Sequence, residues 1–235
     1  MPPILTRSAK RKLDEEKSGP SSKAGKRTMP DRFSVISWNM QGSGGGDVKA
    51  STLRAYMKRV GVSVICLQEC GKLFDWTDDD LEAGWRIAIH KQWDAGGGNP
   101  RCSLAILVRG IVPVSTHVVS ATWTGGRPMI GAYLSHCAVW CVHAPHSSTA
   151  YVTTARNSAK FGSATRPWIC AGDFNLAPGT VGAPTGGHVA SCGLATHQNG
   201  RELDWAFVSG FSSYEATRLG TIVSDHYAVA FTLEL

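Results

Sequence analysis

The chain has 235 residues, 43% of them hydrophobic, and a formal charge of +6 from 24 Lys/Arg against 18 Asp/Glu. That length fits one large core and excludes two ordinary domains beyond a tail. No stretch reaches the roughly 18 apolar residues of a membrane span, and no apolar h-region before a small-residue cleavage site marks a secretion signal.

The charge is unevenly placed. Residues 1–32 carry nine Lys/Arg against four Asp/Glu, whereas the remainder carries fifteen against fourteen. Residues 1–31 therefore read as a disordered basic tail, too poor in large apolar residues to offset the entropy of ordering. In this tail Lys10, Arg11 and Lys12 precede a ten-residue spacer, and then come Lys23, Lys26 and Arg27. Two basic clusters so separated resemble a bipartite nuclear localisation signal, which implies an import receptor as partner and a nuclear site of action, in the producing or a target cell. The plainer alternative is a solvated tail that clings weakly to phosphates. Residues 32–235 are left as the catalytic domain, nearly neutral, so affinity for nucleic acid must come from a local patch.

Along that domain, Phe33 to Trp38 alternates and reads as a strand. The glycine cluster Gly42 to Gly46 breaks it, and Asp47 is a candidate N-cap. Val48, Leu53, Tyr56, Met57 and Val60 then fall on one helical face. Val62 to Leu67 is a buried strand. An acidic loop follows from Asp75 to Glu82, and Trp85 to Ile89, Leu104 to Val108, Val112 to Val119 and Met129 to Leu134 are predicted strands. A further strand ends at His143. Ala150 to Phe161 is predicted helical, and Trp168 to Ala171, Trp205 to Val208 and Tyr227 to Leu233 close the chain as strands. Strands outnumber helices without strict βα alternation, which two packed sheets with a few outer helices would explain. Seven cysteines, mostly inside apolar runs, read as reduced core thiols. Cys137 and Cys141 lack the second ligand pair of a zinc site.

Short polar motifs stand at the ends of these apolar runs: Trp38-Asn39, Gln68-Glu69, Val142-His143, Gly172-Asp173-Phe174-Asn175, Leu203-Asp204-Trp205 and Ser224-Asp225-His226. Neighbouring strands bring their termini to one rim, so these residues can converge. Together they supply what phosphodiester hydrolysis needs: oxygen ligands for a hard cation, an acceptor for a water proton, and two imidazoles. Glu69 is the first choice of ligand for Mg²⁺, which takes oxygen donors, keeps several waters and needs only one or two carboxylates. Asp225 completes that shell or serves a second cation position. Asp173 and Asn175 alternate, so on an extended segment they face the same way, one for the attacking water and one for the phosphate. Asp204 is placed to orient His226 and support its cationic form.

The same motifs, with Arg127-Pro128-Met129-Ile130-Gly131, resemble the endonuclease/exonuclease/phosphatase superfamily (deoxyribonuclease I-like), and most closely the B subunits of cytolethal distending toxins. The likeness runs in order from about Phe33 to the C-terminus. It implies a four-layer α/β sandwich, two packed mixed sheets flanked by helices, with the active site at one edge. It places Asn39 beside Glu69 at the metal, and it makes one of His143 and His226 the donor to the leaving oxygen and the other the stabiliser of the charged intermediate. Arg101 and Arg127 match arginines that contact phosphate in the toxins, where a planar guanidinium grips two oxygens. The function so implied is a Mg²⁺-dependent DNA-nicking endonuclease of the genotoxin type. Two other readings are a phosphoinositide phosphatase using the same site and a catalytically silent binding module. Toxin B subunits carry a secretion signal and have delivery subunits as partners; here a polar tail stands in that place.

Overall fold

In the computed structural model, residues 31–42, 46–71, 76–93, 101–120 and 127–235 are described. The import-like clusters, most of the glycine cluster and Asp75 lie outside them.

Two βαβ units set the layering. Strand β1 (Arg32–Asn39) runs through α1 (Gly46–Met57) to its parallel neighbour β2 (Val62–Gln68). Likewise β7 (Ala138–His143) runs through α2 (Thr149–Ser163) to β8 (Trp168–Asp173), again in parallel. Antiparallel strands extend each pair. The first sheet adds β3 (Trp85–Gln92), β4 (Ser103–Arg109), β11 (Ser213–Ile222) and β12 (Tyr227–Glu234), in the order β11-β12-β1-β2-β4-β3. The second adds β5 (Ser115–Val119), β6 (Met129–Tyr133), β9 (Gly187–Ala190) and β10 (Asp204–Ser209), in the order β5-β6-β7-β8-β10-β9.

The sheets share a core in which Val35, Val64, Cys66 and Ile106 of one meet Val139, Cys141, Ile169 and Ala206 of the other. The outer face of the first sheet is covered by Leu53, Tyr56 and Met57 of α1 against Ile36, Trp38, Ile65 and Leu67. Tyr151, Val152, Ala155 and Ala159 of α2 cover the second against Trp140, Val142 and Cys170. Central strands covered on both faces carry near-continuous apolar runs, and β2 is buried at every residue. The result is the α/β sandwich of two mixed six-stranded sheets that the motifs implied. Among the described residues, no helix is long and apolar enough to cross a membrane.

One glycine is fixed by packing. A Cβ at Gly172 would collide with the backbone carbonyl of Val142 on the paired strand β7, so only glycine lets β7 and β8 approach there.

Several expectations are corrected. Helix α1 ends at Met57, leaving Val60 99% exposed, and Val48 sits on its solvent side at 57%. Asp47 lies inside the first turn rather than ahead of it, because the helix starts at Gly46. The strand predicted over Val112 to Val119 begins only at Ser115. Strands β9 and β11 were not anticipated. One is only four residues long, and the other is an edge strand in which Ser213, Tyr214, Glu215 and Thr217 are exposed.

Candidate active site

Strand register does most of the assembly. His143 pairs with Asp173 across β7 and β8, and Asp173 pairs in turn with Asp204 of β10. In the other sheet Asn39 pairs with Gln68, so Glu69 follows directly at the same rim. The segment Ser224 to His226 closes against it, with the Ser224 hydroxyl donating to the Asn39 carbonyl at 2.8 Å and the Asp225 amide donating to Gln41 Oε1 at 3.1 Å.

Asp173 is the joint of the site. Its Oδ2 accepts from Asn39 Nδ2 at 3.0 Å and from Asn175 Nδ2 at 3.3 Å, and Oδ1 accepts from the Asn175 amide at 2.8 Å. The Nε2 atoms of His143 and His226 lie 3.6 and 3.7 Å from Oδ2. His143 Nε2 is also 3.7 Å from Glu69 Oε1, and Glu69 Oε2 is 3.5 Å from Arg101 Nε. Arg127 Nη1 and Asn175 Nδ2 both donate to the Ala144 carbonyl, at 3.1 and 2.9 Å. His226 Nε2 reaches to 3.9 Å from Asp225 Oδ1. All ten residues singled out for the site by their motifs thus belong to one chain of contacts.

The expected alternation of Asp173 and Asn175 does not extend through the segment. Strand β8 ends at Asp173, and Asn175 takes a left-handed φ of 51°. Phe174 turns inward to stack on Trp205 at 4.0 Å. The Asn175 amide reaches Asp173 through this turn rather than by facing the same way along a strand. Glu69 is left-handed too, at φ 50°. Such backbone costs on the order of 1–3 kcal/mol where a side chain is present. Three backbone bonds hold it: Glu69 N to Ser103 O, Gly42 N to Glu69 O, and Met40 N to Gln68 O.

Burial and neighbouring charge set the protonation states. Burial pushes Asp173 up to about 7, and the nearby Asp204 adds to the rise, while His226 and the amide donors oppose it. For His226 burial opposes the charge, but the Asp204 carboxylate overcomes it, followed by Asp173 and Asp225, and the ring is raised to about 9. His143 goes the other way, well below 6.5, through burial and then the Arg127, His226 and Arg101 charges. One imidazole is therefore cationic and the other neutral at neutral pH. Burial also raises Glu69 against the pull of Arg101.

Two compact ligand groups occur among the described residues: Asp173, Asp204 and His226, and His197, Asp225 and His226. In the first, His226 Nδ1 and Asp204 Oδ2 already engage each other at 2.7 Å. Glu69 belongs to neither. It nonetheless fits a hard cation, because Glu69 Oε2 and Asp225 Oδ1 are buried oxygens that accept no hydrogen bond among the described residues, and Mg²⁺ needs only one or two carboxylates. With Asn39 beside them, these are the residues that would hold it.

Residues that the motifs did not reveal also converge here. The Thr196 hydroxyl donates to Asp204 Oδ2 at 2.7 Å and accepts from the Leu203 and Asp204 amides. Buried Lys49 of α1 donates to the Gly42 carbonyl at 2.9 Å, within range of the Asp225 and Glu69 charges. Neither stands in a motif, and no periodicity marks them. Their role shows only once the loops are folded.

The model of the Endonuclease/Exonuclease/phosphatase family matches residues 36–226. No curated protein matches the chain. Among solved structures, that of CdtB, the biologically active subunit of cytolethal distending toxin, superposes with a TM-score of 0.67 at 20% identity, over 88% of this chain and 99% of that one. The Haemophilus ducreyi cytolethal distending toxin gives 0.63 at 21% identity, over 86% and 98%. A humanized D. rerio TDP2 gives 0.69 at 15% identity, over 88% and 100%. At these identities the structural likeness speaks for the fold. The family match covers every polar motif from Asn39 to His226, and it marks a phosphodiesterase-type hydrolase. The chain belongs to the endonuclease/exonuclease/phosphatase family, with a fold like that of the toxin B subunit.

Proposed function

We propose that this chain is a Mg²⁺-dependent endonuclease that nicks DNA. The observation that carries the reading is the position of Asp173, one buried carboxylate in contact with two amides and two imidazoles of opposite protonation state. A base poised near working pH is suited to take a proton from water, and Asp173, at about 7, is such a group. Asn175 and Asn39 fix its two oxygens, which would give an attacking water one orientation. His226, cationic beside Asp204, stabilises charge gathering on the phosphate oxygens. His143, neutral and buried, faces Asp173 from the other side, its Nε2 3.6 Å from Oδ2. The bound cation supplies Lewis acidity toward a phosphoryl oxygen. Arg101 and Arg127 flank this arrangement and suit the DNA backbone, which such contacts position without reading its sequence.

The basic clusters in residues 1–31 support action in a nucleus, and a reporter fused to that tail that stays evenly spread through the cell would argue against it. The catalytic reading is tested by nicking of supercoiled plasmid with and without chelator. Wild type should nick only with the cation, and His143→Ala and His226→Ala should be inactive yet folded. Parental nicking by both variants would remove the mechanism. Hydrolysis of phosphoinositide micelles with no plasmid nicking would reassign the site to lipid phosphates.

A further inference from the structure

His197 stands in no motif, yet it lies against the site. It forms an isolated antiparallel bridge with His226, in which Tyr227 N donates to Thr196 O at 2.7 Å and Gln198 N to Asp225 O at 2.9 Å. Successive residues of extended backbone point opposite ways. Accordingly the Thr196 hydroxyl reaches Asp204, while the His197 ring lies edge-on to His226, centroids 4.5 Å apart, with Nε2 3.8 Å from Asp225 Oδ2.

His197, Asp225 and His226 each bring one donor atom within 4.8 Å of the others, the dimensions of a cation site. The hydrogen bonding assigns His197 a different part. The Asn199 amide donates to His197 Nδ1 at 3.1 Å, so Nδ1 presents its lone pair, and the proton of the neutral ring sits on Nε2. A protonated Nε2 has no lone pair left for a metal. It points a donor toward Asp225 instead, across an electrostatic contact in which both side chains are under one-fifth exposed.

We propose that His197 is a positioning residue. Its Nε2–H restrains Oδ2 of Asp225 and thereby presents Oδ1, which accepts no hydrogen bond among the described residues, to the cation. The proposal rests on the reading of Asp225 as a cation ligand. Partners behind a metal ligand set its affinity by roughly 10–100-fold, and His197 is such a partner.

The test uses the full chain and Mn²⁺ titrated by calorimetry, beside thermal unfolding and ¹⁵N chemical shifts of the imidazoles. His197→Phe keeps a ring against His226 and removes the donor, whereas His197→Gln keeps a donor at the position of Nε2. Phe should weaken Mn²⁺ binding about tenfold at unchanged melting temperature, and Gln should restore it. If the Phe variant does not fold, His197→Asn, too short to reach Asp225, should give the same loss. The wild-type ring should show an unprotonated Nδ1. Mn²⁺ affinity unchanged in the Phe or Asn variant but lost in Asp225→Asn overturns the role of His197 alone, as would a protonated Nδ1. Undiminished binding by Asp225→Asn overturns the cation reading and the proposal together.

Discussion

His226 Nδ1 lies 2.7 Å from Asp204 Oδ2, with both side chains almost wholly buried. This contact holds a charge on His226, whose pKa is about 9 when folded against 6.5 otherwise. A raised folded pKa means stability fully present below 6.5 and lost as the pH rises through 9. Asp173, raised from 3.8 to about 7, contributes stability below 3.8 that is lost by the time the pH has risen through 7, and His143, held well below 6.5, costs stability only as the pH falls. Between 7 and 9, His226 is therefore the imidazole of the site that titrates. Without divalent cation, the melting temperature of wild type should fall across that interval by several degrees. His226 contributes at most about 3 kcal/mol, and the buried thiols of Cys66, Cys70, Cys137 and Cys170, whose pKa values are also raised, act in the same direction toward the upper end. Asp204→Asn should flatten the fall, bring the His226 resonance in a proton NMR titration back toward 6.5, and cut nicking at least about 100-fold. An unshifted His226 titration in that variant would break the link between the two residues.

Thr196 is the second support of the same carboxylate. Its hydroxyl donates to Asp204 Oδ2 and receives two backbone amides, all buried. Thr196→Val keeps the shape and strands these partners, at a cost of roughly 1–3 kcal/mol. Thr196→Ser should recover most of it. Urea unfolding of the three proteins measures the difference, and equal midpoints would show that Thr196 only fills space.

The legible and illegible parts of this fold divide along physical lines. Strands buried on both faces announced themselves, because β7 and β8 are apolar runs ending in His143 and Asp173, and β2 is one that Glu69 directly follows. The polar residue at each end then stood out against its own strand. What could not be read depends on partners distant in sequence. The edge strand β11 earns its place by pairing with β12, not by its own pattern. Lys49, Thr196 and His197 sit on a helix face and in a loop, and their contacts, to Gly42, Asp204 and Asp225, exist only once the chain has folded. The turn at Asn175 was misread for a related reason, since Phe174 is drawn inward by Trp205.

Gly172 couples the fold to the site. Alanine there would drive its Cβ into the Val142 carbonyl and against Val142 Cγ2 at 2.8 Å, between the strands that end in His143 and Asp173. The clash is with backbone, so no rotamer relieves it. Gly172→Ala should cost about 3 kcal/mol or more and lower soluble yield. Because the strain falls one residue before Asp173, any folded fraction should also nick more slowly per molecule. A variant with wild-type melting temperature and rate would mean that β7 and β8 are spaced more widely than 4.8 Å strand pairing requires.

Removal of the cation gives a test independent of turnover. Glu69 and Asp225 each hold a buried oxygen that accepts no hydrogen bond among the described residues, and burial raises the pKa of Glu69, so without a cation its charge is held at a cost. A cation bound to the folded state alone stabilises by about 2.7 kcal/mol at 100 times its dissociation constant. Protons compete for the same oxygens, so the gain must be larger at about pH 8 than at about pH 5. Thermal unfolding with EDTA and then with excess Mg²⁺ should show a rise in melting temperature at the higher pH and little at the lower. Glu69→Gln should be more stable than wild type in EDTA, because a neutral amide relieves the buried charge, and both Glu69→Gln and Asp225→Asn should respond less to Mg²⁺. Equal Mg²⁺ responses in wild type and both variants would place the cation elsewhere, and the two oxygens without hydrogen bonds would need another explanation.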